Sequence, residues 1–188
     1  MKRLPRMKRA TRRTVVAMAA AAAIITSAFV RSSSAYTSVT STYTNGLTNM
    51  CMGVSGGNMT KGTKVIQWPC IANDQDQLWT HGASPSLWQN AKDPTKCLAI
   101  AANSTILGDG TTYNGAGLVI WDCQPSNPGQ LFSSSSNRAG AIQLWSQLTG
   151  SNTAIGIMQG SQGQGTQLDN EHWYNYTWSP QLWEGTLF

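Results

Sequence analysis

Three copies of one pattern run through the chain and constrain its fold more than any single residue does. The first copy reads Cys51-Met52-Gly53-Val54, then Gly56-Gly57, then Gly62 through Trp68-Pro69-Cys70, and closes on Gln77-Leu78-Trp79. The second has Lys96-Cys97-Leu98-Ala99-Ile100, a longer Gly-rich stretch, Leu118 through Trp121-Asp122-Cys123, and Gln130-Leu131-Phe132. The third is more worn, with Thr153-Ala154-Ile155-Gly156-Ile157, Gly165-Thr166-Gln167-Leu168 and Gln181-Leu182-Trp183. Counting from Gln77 to Gln130 to Gln181, the closing triplets lie 53 and 51 residues apart. A period of that length is a unit of several strands, so the expected fold is threefold.

Residues 1–35 read as a leader. A basic head from Lys2 to Arg13 precedes an Ala-rich apolar run from Val15 to Val30, too short and weakly apolar for a comfortable membrane span. Ser33-Ser34-Ala35 supplies small residues for cleavage, the pattern of a secretory signal peptide, and Thr11-Arg12-Arg13 also fits twin-arginine export. Either route predicts a secreted, extracellular protein that has no membrane attachment after cleavage.

Setting the leader aside reverses the charge. Eight of the 13 Lys and Arg lie in it, counting Arg31, and all 8 Asp and Glu lie after it, so residues 36–188 carry 5 − 8 = −3. The basic whole-chain balance therefore argues for no nucleic-acid partner, because such a partner needs a basic face on the folded domain. The remaining 153 residues are long enough for one domain, with repeats at 43–85, 86–138 and 139–188. All 8 Trp fall within them.

The four Cys occupy matched ends of the first two repeats, and the third repeat lacks both, with Ala154 at the first position and the second near Trp173. Joint loss is what a local pair predicts, since a lone exported thiol is a reactive liability. We therefore expect Cys51–Cys70 and Cys97–Cys123 disulfides, each contributing roughly 3 kcal/mol by restricting the unfolded chain. The spacing lacks the close pairing of a zinc site, and no cofactor or metal is expected.

Short runs of three to five residues, punctuated by Gly, Asn, Asp, Pro and Ser, read as strands from Cys51 to Asp169. Tyr36 to Thr44 reads as a tail entering a strand near Tyr43. Trp88 precedes Cys97 by nine residues, as Trp145 precedes Ala154, which predicts that Trp88 and Trp145 are equivalent packing residues. Three units of about four strands give twelve, enough to close a barrel with a hairpin cap.

Together, Cys-Met-Gly-Val-Ser-Gly-Gly, Gly-Thr-Lys-Val-Ile-Gln-Trp-Pro-Cys, Lys-Cys-Leu-Ala-Ile, Val-Ile-Trp-Asp-Cys and the three Gln-x-aromatic triplets resemble the ricin-B-type lectins. The resemblance covers residues 36–188 and implies an all-β, β-trefoil fold that binds carbohydrate. In that family an Asp two residues after the first Cys accepts from sugar hydroxyls, an aromatic before the second Cys stacks on the ring, and a polar residue beside the Gln assists. Carried over, the acceptor positions hold Gly53, Ala99 and Gly156, the stacking positions Trp68, Trp121 and Glu171, and the helper positions Asp76, Gly129 and Pro180. Each lost charge-assisted bond removes about 1.5 to 3 kcal/mol. That is large beside the roughly 4 kcal/mol of a millimolar site, so galactose recognition of the usual kind is not expected.

Trp68 and Trp121 read either as stacking platforms or as covers for the adjacent disulfide. Asp76, with Asp74 and Asn73, either compensates for Gly53 across a pocket or simply builds a turn. The span from Cys97 to Cys123 is 26 residues against 19 from Cys51 to Cys70, and the insertion carries Tyr113 and Asn114. These two either fold over Trp121 as a replacement site or lie in an elongated hairpin. His81 and His172 stand alone, and no nucleophile–base or carboxylate-pair spacing appears, so no enzyme is expected. The reading is weak, multivalent binding of an oligo- or polysaccharide; the rival is a degenerate trefoil that docks a protein partner. Solvent-facing Trp68 and Trp121 favour the first, rings buried under loops the second.

Overall fold

The computed structural model describes residues 38–101, 115–136, 141–148, 153–172 and 180–185. Thirteen strands lie among them. They are β1 (Val39–Ser41), β2 (Thr44–Asn45), β3 (Cys51–Val54), β4 (Val65–Trp68), β5 (Trp79–His81), β6 (Ser86–Asn90) and β7 (Asp93–Ile100). The rest are β8 (Ala116–Asp122), β9 (Leu131–Ser136), β10 (Ile142–Ser146), β11 (Thr153–Ile157), β12 (Leu168–His172) and β13 (Trp183–Glu184). The count exceeds twelve because the first barrel strand breaks at Thr42–Tyr43. Its β1 half pairs with β5 and its β2 half with β13. Pairing thus begins at Val39, earlier than a tail ending near Tyr43 would allow.

The pairings β5–β6, β6–β9, β9–β10, β10–β13 and β13–β2, with β1 returning to β5, close a ring that leaves few free edges. Each repeat adds one antiparallel hairpin, β3–β4, β7–β8 or β11–β12. This arrangement is a β-trefoil. Alternation along the hairpins sends Met52 and Val54, Leu98 and Ile100, and Ile155 and Ile157 into one shared core with Trp79, Trp88, Phe132 and Trp183. The intervening residues Gly53, Ala99 and Gly156 therefore face away from that core, and Gly53 and Ala99 line clefts.

Register places Asn45 opposite Trp183, Asn90 opposite Trp79, and Ser146 opposite Phe132. These three are equivalent, and each side chain bonds the carbonyl of a residue just before or within the closing turn of the preceding repeat around the ring: Asn45 to Pro180, Asn90 to Asp76 and Ser146 to Pro128. Tyr43, Trp88 and Leu144, two residues earlier, are accordingly the matched core positions. The expected match of Trp88 with Trp145 is one residue out of register. Trp145 faces outward beside Leu144 and is only half-buried. The cause is connection length, since 45 to 51, 90 to 97 and 146 to 154 span six, seven and eight residues.

The closing glutamines lock each hairpin to the barrel. Gln77 donates to Pro69 O at 3.0 Å and accepts from Ile71 N–H at 2.9 Å. Gln130 repeats both bonds with Asp122 O (3.0 Å) and Gln124 N–H (2.7 Å). Gln181 donates to His172 O at 2.8 Å. All three are buried, as are the aromatic partners; Trp79 and Trp183 also donate their indole N–H to Met52 O and Ile155 O. The two disulfides pair Cys51 with Cys70 and Cys97 with Cys123, as the joint loss in the third repeat implied.

A buried amide that satisfies two backbone groups is costly to replace by an apolar side chain, because both partners lose their bonds. Gln77→Met is expected to lower the unfolding free energy by about 1–3 kcal/mol per group left unpaired, measured by urea denaturation. An unchanged midpoint and slope would contradict this role.

Candidate functional site

Trp68 lies directly across from Cys51 and Trp121 across from Cys97, so each ring stands on the outward face beside its disulfide. Neither is buried: both are 38% exposed. Each borders a cleft. The first, about 320 Å³, is lined by Gly53, Ile66, Trp68, Ile71, Asp74 and Asp76, with Gly165. The second, about 450 Å³, is lined by Ala99, Val119, Trp121, Asn127 and Gln130, with Gly62. The spacing along the strands explains the lining, since positions two apart on adjacent paired strands share one face.

Each cleft is completed by a neighbouring repeat. Gly62 of the first repeat bonds Ile120 O at 2.8 Å, and Ile120 N–H returns a bond to Thr63 O. Gly165 of the third bonds Gln67 O at 2.8 Å, and Gln67 N–H returns to Thr166 O. Gly115 of the second bonds Asn170 O at 2.7 Å in the same manner. Gly62 and Gly165 have φ of 87° and 80°, a region costly for other residues. A β-carbon there would sit 3.7 Å from Trp121 and 3.6 Å from Trp68. The loop of one repeat thus forms a wall beside the ring of the next.

The first cleft holds a carboxylate opposite Gly53. Asp76 Oδ1 would lie 3.6 Å from a β-carbon at Gly53, and Asp74 caps the same turn by accepting from Asp76 N–H. Turn-building and pocket-lining are therefore both real, divided between the two: Asp74 builds the turn, while Asp76 points its carboxylate inward. Burial, then the neighbouring Asp74 charge, raise the Asp76 pKa above its usual value, and Lys92 partly offsets them. Asn73 takes φ 61° in the turn. In the second cleft the helper position is Gly129, and Asn127 accepts from Gly129 N–H instead. Tyr113 and Asn114 lie outside the described residues, as do Trp173 and Tyr174.

The third repeat has no ring at the stacking position. Glu171 stands there, across from Ala154, and accepts from Gln159 N–H at 2.9 Å. Directly across from Gly156, on β12, is Asp169. It occupies the position held by Ile66 and Val119 in the other clefts, which sit across from Gly53 and Ala99. Asp169 is only 1% exposed, and among the described residues its Oδ1 has no hydrogen-bond partner. Burial, then the Glu171 charge and hydrogen bond, push its pKa up to about 9. The sequence signal for this residue was weak, because it departs from an apolar pattern legible only once the strand register is known.

The histidines show no catalytic arrangement. His81 is buried, stacked on Trp88 at 4.4 Å and bonded to Tyr43 Oη, which makes it a core residue. His172 offers its backbone carbonyl to Gln181. Among the described residues no group of three or more His, Cys, Asp or Glu gathers as a metal site, and no helix is long and apolar enough to cross a membrane.

Asp169 makes folding linked to proton uptake. Its folded pKa of about 9 lies above the ordinary 3.8, so its contribution is fully present below 3.8 and is lost as pH rises through 9. Stability should fall across that window, and Asp169→Asn should flatten the fall and raise the melting temperature at pH 8. Thermal unfolding of both proteins from pH 4 to 9 checks this; parallel profiles would contradict it.

The chain's residues 40–173 match the model of the ricin-type beta-trefoil lectin domain. No curated protein matches in sequence. Among solved structures, the designed 3-fold symmetric protein ThreeFoil is similar at TM-score 0.65 and 14% identity, over 79% of this chain and 99% of that one. The earthworm R-type lectin C-half in complex with GalNAc is similar at 0.55 and 16%, over 78% and 98%. The exo-beta-1,3-galactanase 1,3Gal43A from Clostridium thermocellum is similar at 0.65 and 15%, over 79% of this chain but only 30% of that one. At these identities the structural likenesses speak for the fold, and the match over 40–173 carries the rest: the chain belongs to the ricin-type beta-trefoil lectin domain family.

Proposed function

We propose that this chain is a secreted carbohydrate-binding module that grips glycans at two clefts, with Trp68 and Trp121 as stacking platforms. The observation that carries the reading is the exposure of both rings, 38% each, at the edges of mainly apolar clefts that each hold a few polar side chains. A half-exposed indole packs its face on the C–H groups of a pyranose while surrounding polar atoms take the hydroxyls. In the first cleft Asp76 supplies the acceptor that Gly53 lacks. In the second, the candidates that the sequence offers are Tyr113 and Asn114 of the inserted segment.

The clefts bind by stacking and hydrogen bonds, with no catalytic step, cofactor or metal. With the family acceptors gone at Gly53, Ala99 and Gly156, each site is weak. Useful affinity for a polysaccharide then comes from two sites on one domain engaging the same chain or surface. The leader at 1–35, the two disulfides and the lectin domain support an extracellular setting. A protein-docking role would have been favoured by rings closed under loops, and their exposure weighs against it.

The test is a glycan array with an insoluble-polysaccharide pulldown on the purified protein and on Trp68→Ala, Trp121→Ala and the double variant. Each single variant is expected to weaken binding about tenfold, the equivalent of one lost stacking contact, and the double to abolish it. Because the rings are half-exposed, melting temperatures should change little. A folded wild type that binds no glycan, or a double variant that binds as well as wild type, would overturn the reading in favour of the protein-docking module.

A further inference from the structure

The two clefts differ in which hydrogen-bonding groups they leave uncommitted. The first cleft offers an acceptor: among the described residues, no donor is bonded to the Asp76 carboxylate, and Asp74 lines the same cleft. In the second cleft the polar lining is already engaged. Gln130 spends both ends on Asp122 O and Gln124 N–H, while Asn127 accepts from Gly129 N–H and donates to Gln124 Oε1. Among the described residues, no carboxylate lines it.

What stands at the edge of this second cleft is a cation from the neighbouring repeat. Lys61 Nζ lies 5.5 Å from the centre of the Trp121 ring, and its side chain is 57% exposed. The base of this lysine is fixed, because the adjacent Gly62 bonds Ile120 O and the next residues bond the same strand. Its one ionic partner, Asp122, is 3.8 Å away and already holds Lys96 in a much shorter contact on its other oxygen. Asp93, whose charge acts on Lys96 and Asp122, is engaged by Thr95 through its backbone and hydroxyl donors. An ammonium carries three donors, so most of the hydrogen-bonding capacity of Lys61 is unspent. The matching residue beside Gly165, at the first cleft, is the uncharged Gln164.

We propose that the second cleft selects an anionic sugar, one bearing a carboxylate or sulfate, with Lys61 as its charge partner above the Trp121 platform. This rests on the carbohydrate-binding reading and adds the ligand class. The first cleft, where Asp74 and Asp76 outnumber the nearby Lys92, favours neutral sugars. The ammonium and the indole act together: the ring holds the apolar face of the pyranose while Lys61 meets the acidic group at its rim. Specificity then arises between clefts, from a residue that one repeat lends to the next.

The test is calorimetry of the purified protein with three oligosaccharides of equal length: a galacturonide, a sulfated galactoside and the neutral galactoside. The acidic ligands are expected to bind about tenfold more tightly than the neutral one at low salt, the gain of one charge-assisted contact, and to lose that margin in 0.5 M NaCl. Lys61→Gln should erase the preference, Lys61→Arg should keep most of it, and Trp68→Ala should leave it untouched. A response to only the carboxylate or only the sulfate supports the proposal and names the acid. Trp121-dependent binding of the neutral ligand with no acidic preference, or a preference that survives Lys61→Gln, would overturn this proposal while leaving the lectin reading intact. Binding of none of the three would overturn this proposal, while the lectin reading would stand or fall on the glycan array.

Discussion

The closing glutamine of each repeat is the contact on which fold and site both depend. Buried between hairpin and barrel, Gln77, Gln130 and Gln181 take up backbone groups at the end of the preceding hairpin and hold that hairpin against the ring of strands. The same side chains roof the outward positions of the first hairpin strands. A β-carbon at Gly53 or Gly156 would come within 2.9 Å of Cγ of Gln77 or Gln181. In this chain Gln77 and Gln181 thus lie in the space a β-carbon at Gly53 or Gly156 would take, whereas Ala99 keeps its β-carbon in the cleft it shares with Gln130.

The polar groups near the matched outward positions differ from repeat to repeat. In the first cleft the acceptor arrives from the turn beside the glutamine, as Asp76. In the second, a cation arrives from the adjoining repeat, as Lys61. In the third repeat a carboxyl crosses the hairpin, and Asp169 faces Gly156 from the opposite strand. Two clefts related by the repeat thus differ in chemistry, and the third repeat places a buried carboxyl where the others hold an apolar side chain.

Much of this was legible in the sequence for a physical reason. Buried glutamines, paired cysteines and closing aromatics each do one obligatory job per repeat, so they recur at the repeat period and mark it. Trp68 and Trp121 were legible as well, because an aromatic beside a disulfide at matched positions has few roles, and exposure then separates them. What escaped depends on register or on neighbouring repeats. Connections of six, seven and eight residues moved Trp145 out of line with Trp88. Lys61 belongs by sequence to the first repeat and by space to the second. Asp169 differs from Ile66 and Val119 only once the hairpins are paired. Tyr113 and Asn114, outside the described residues, stand as the sequence left them.

The central claim is that two half-exposed rings, among eight tryptophans, meet sugar. Each indole N–H gives its own signal in a nitrogen–proton correlation spectrum, so a glycan titration on the labelled protein reads every tryptophan at once. The account predicts saturable movement of the Trp68 and Trp121 signals, while those of the buried Trp79, Trp88 and Trp183 stay in place. Saturable movement confined to other tryptophans, or none for any glycan on a folded protein, would contradict it.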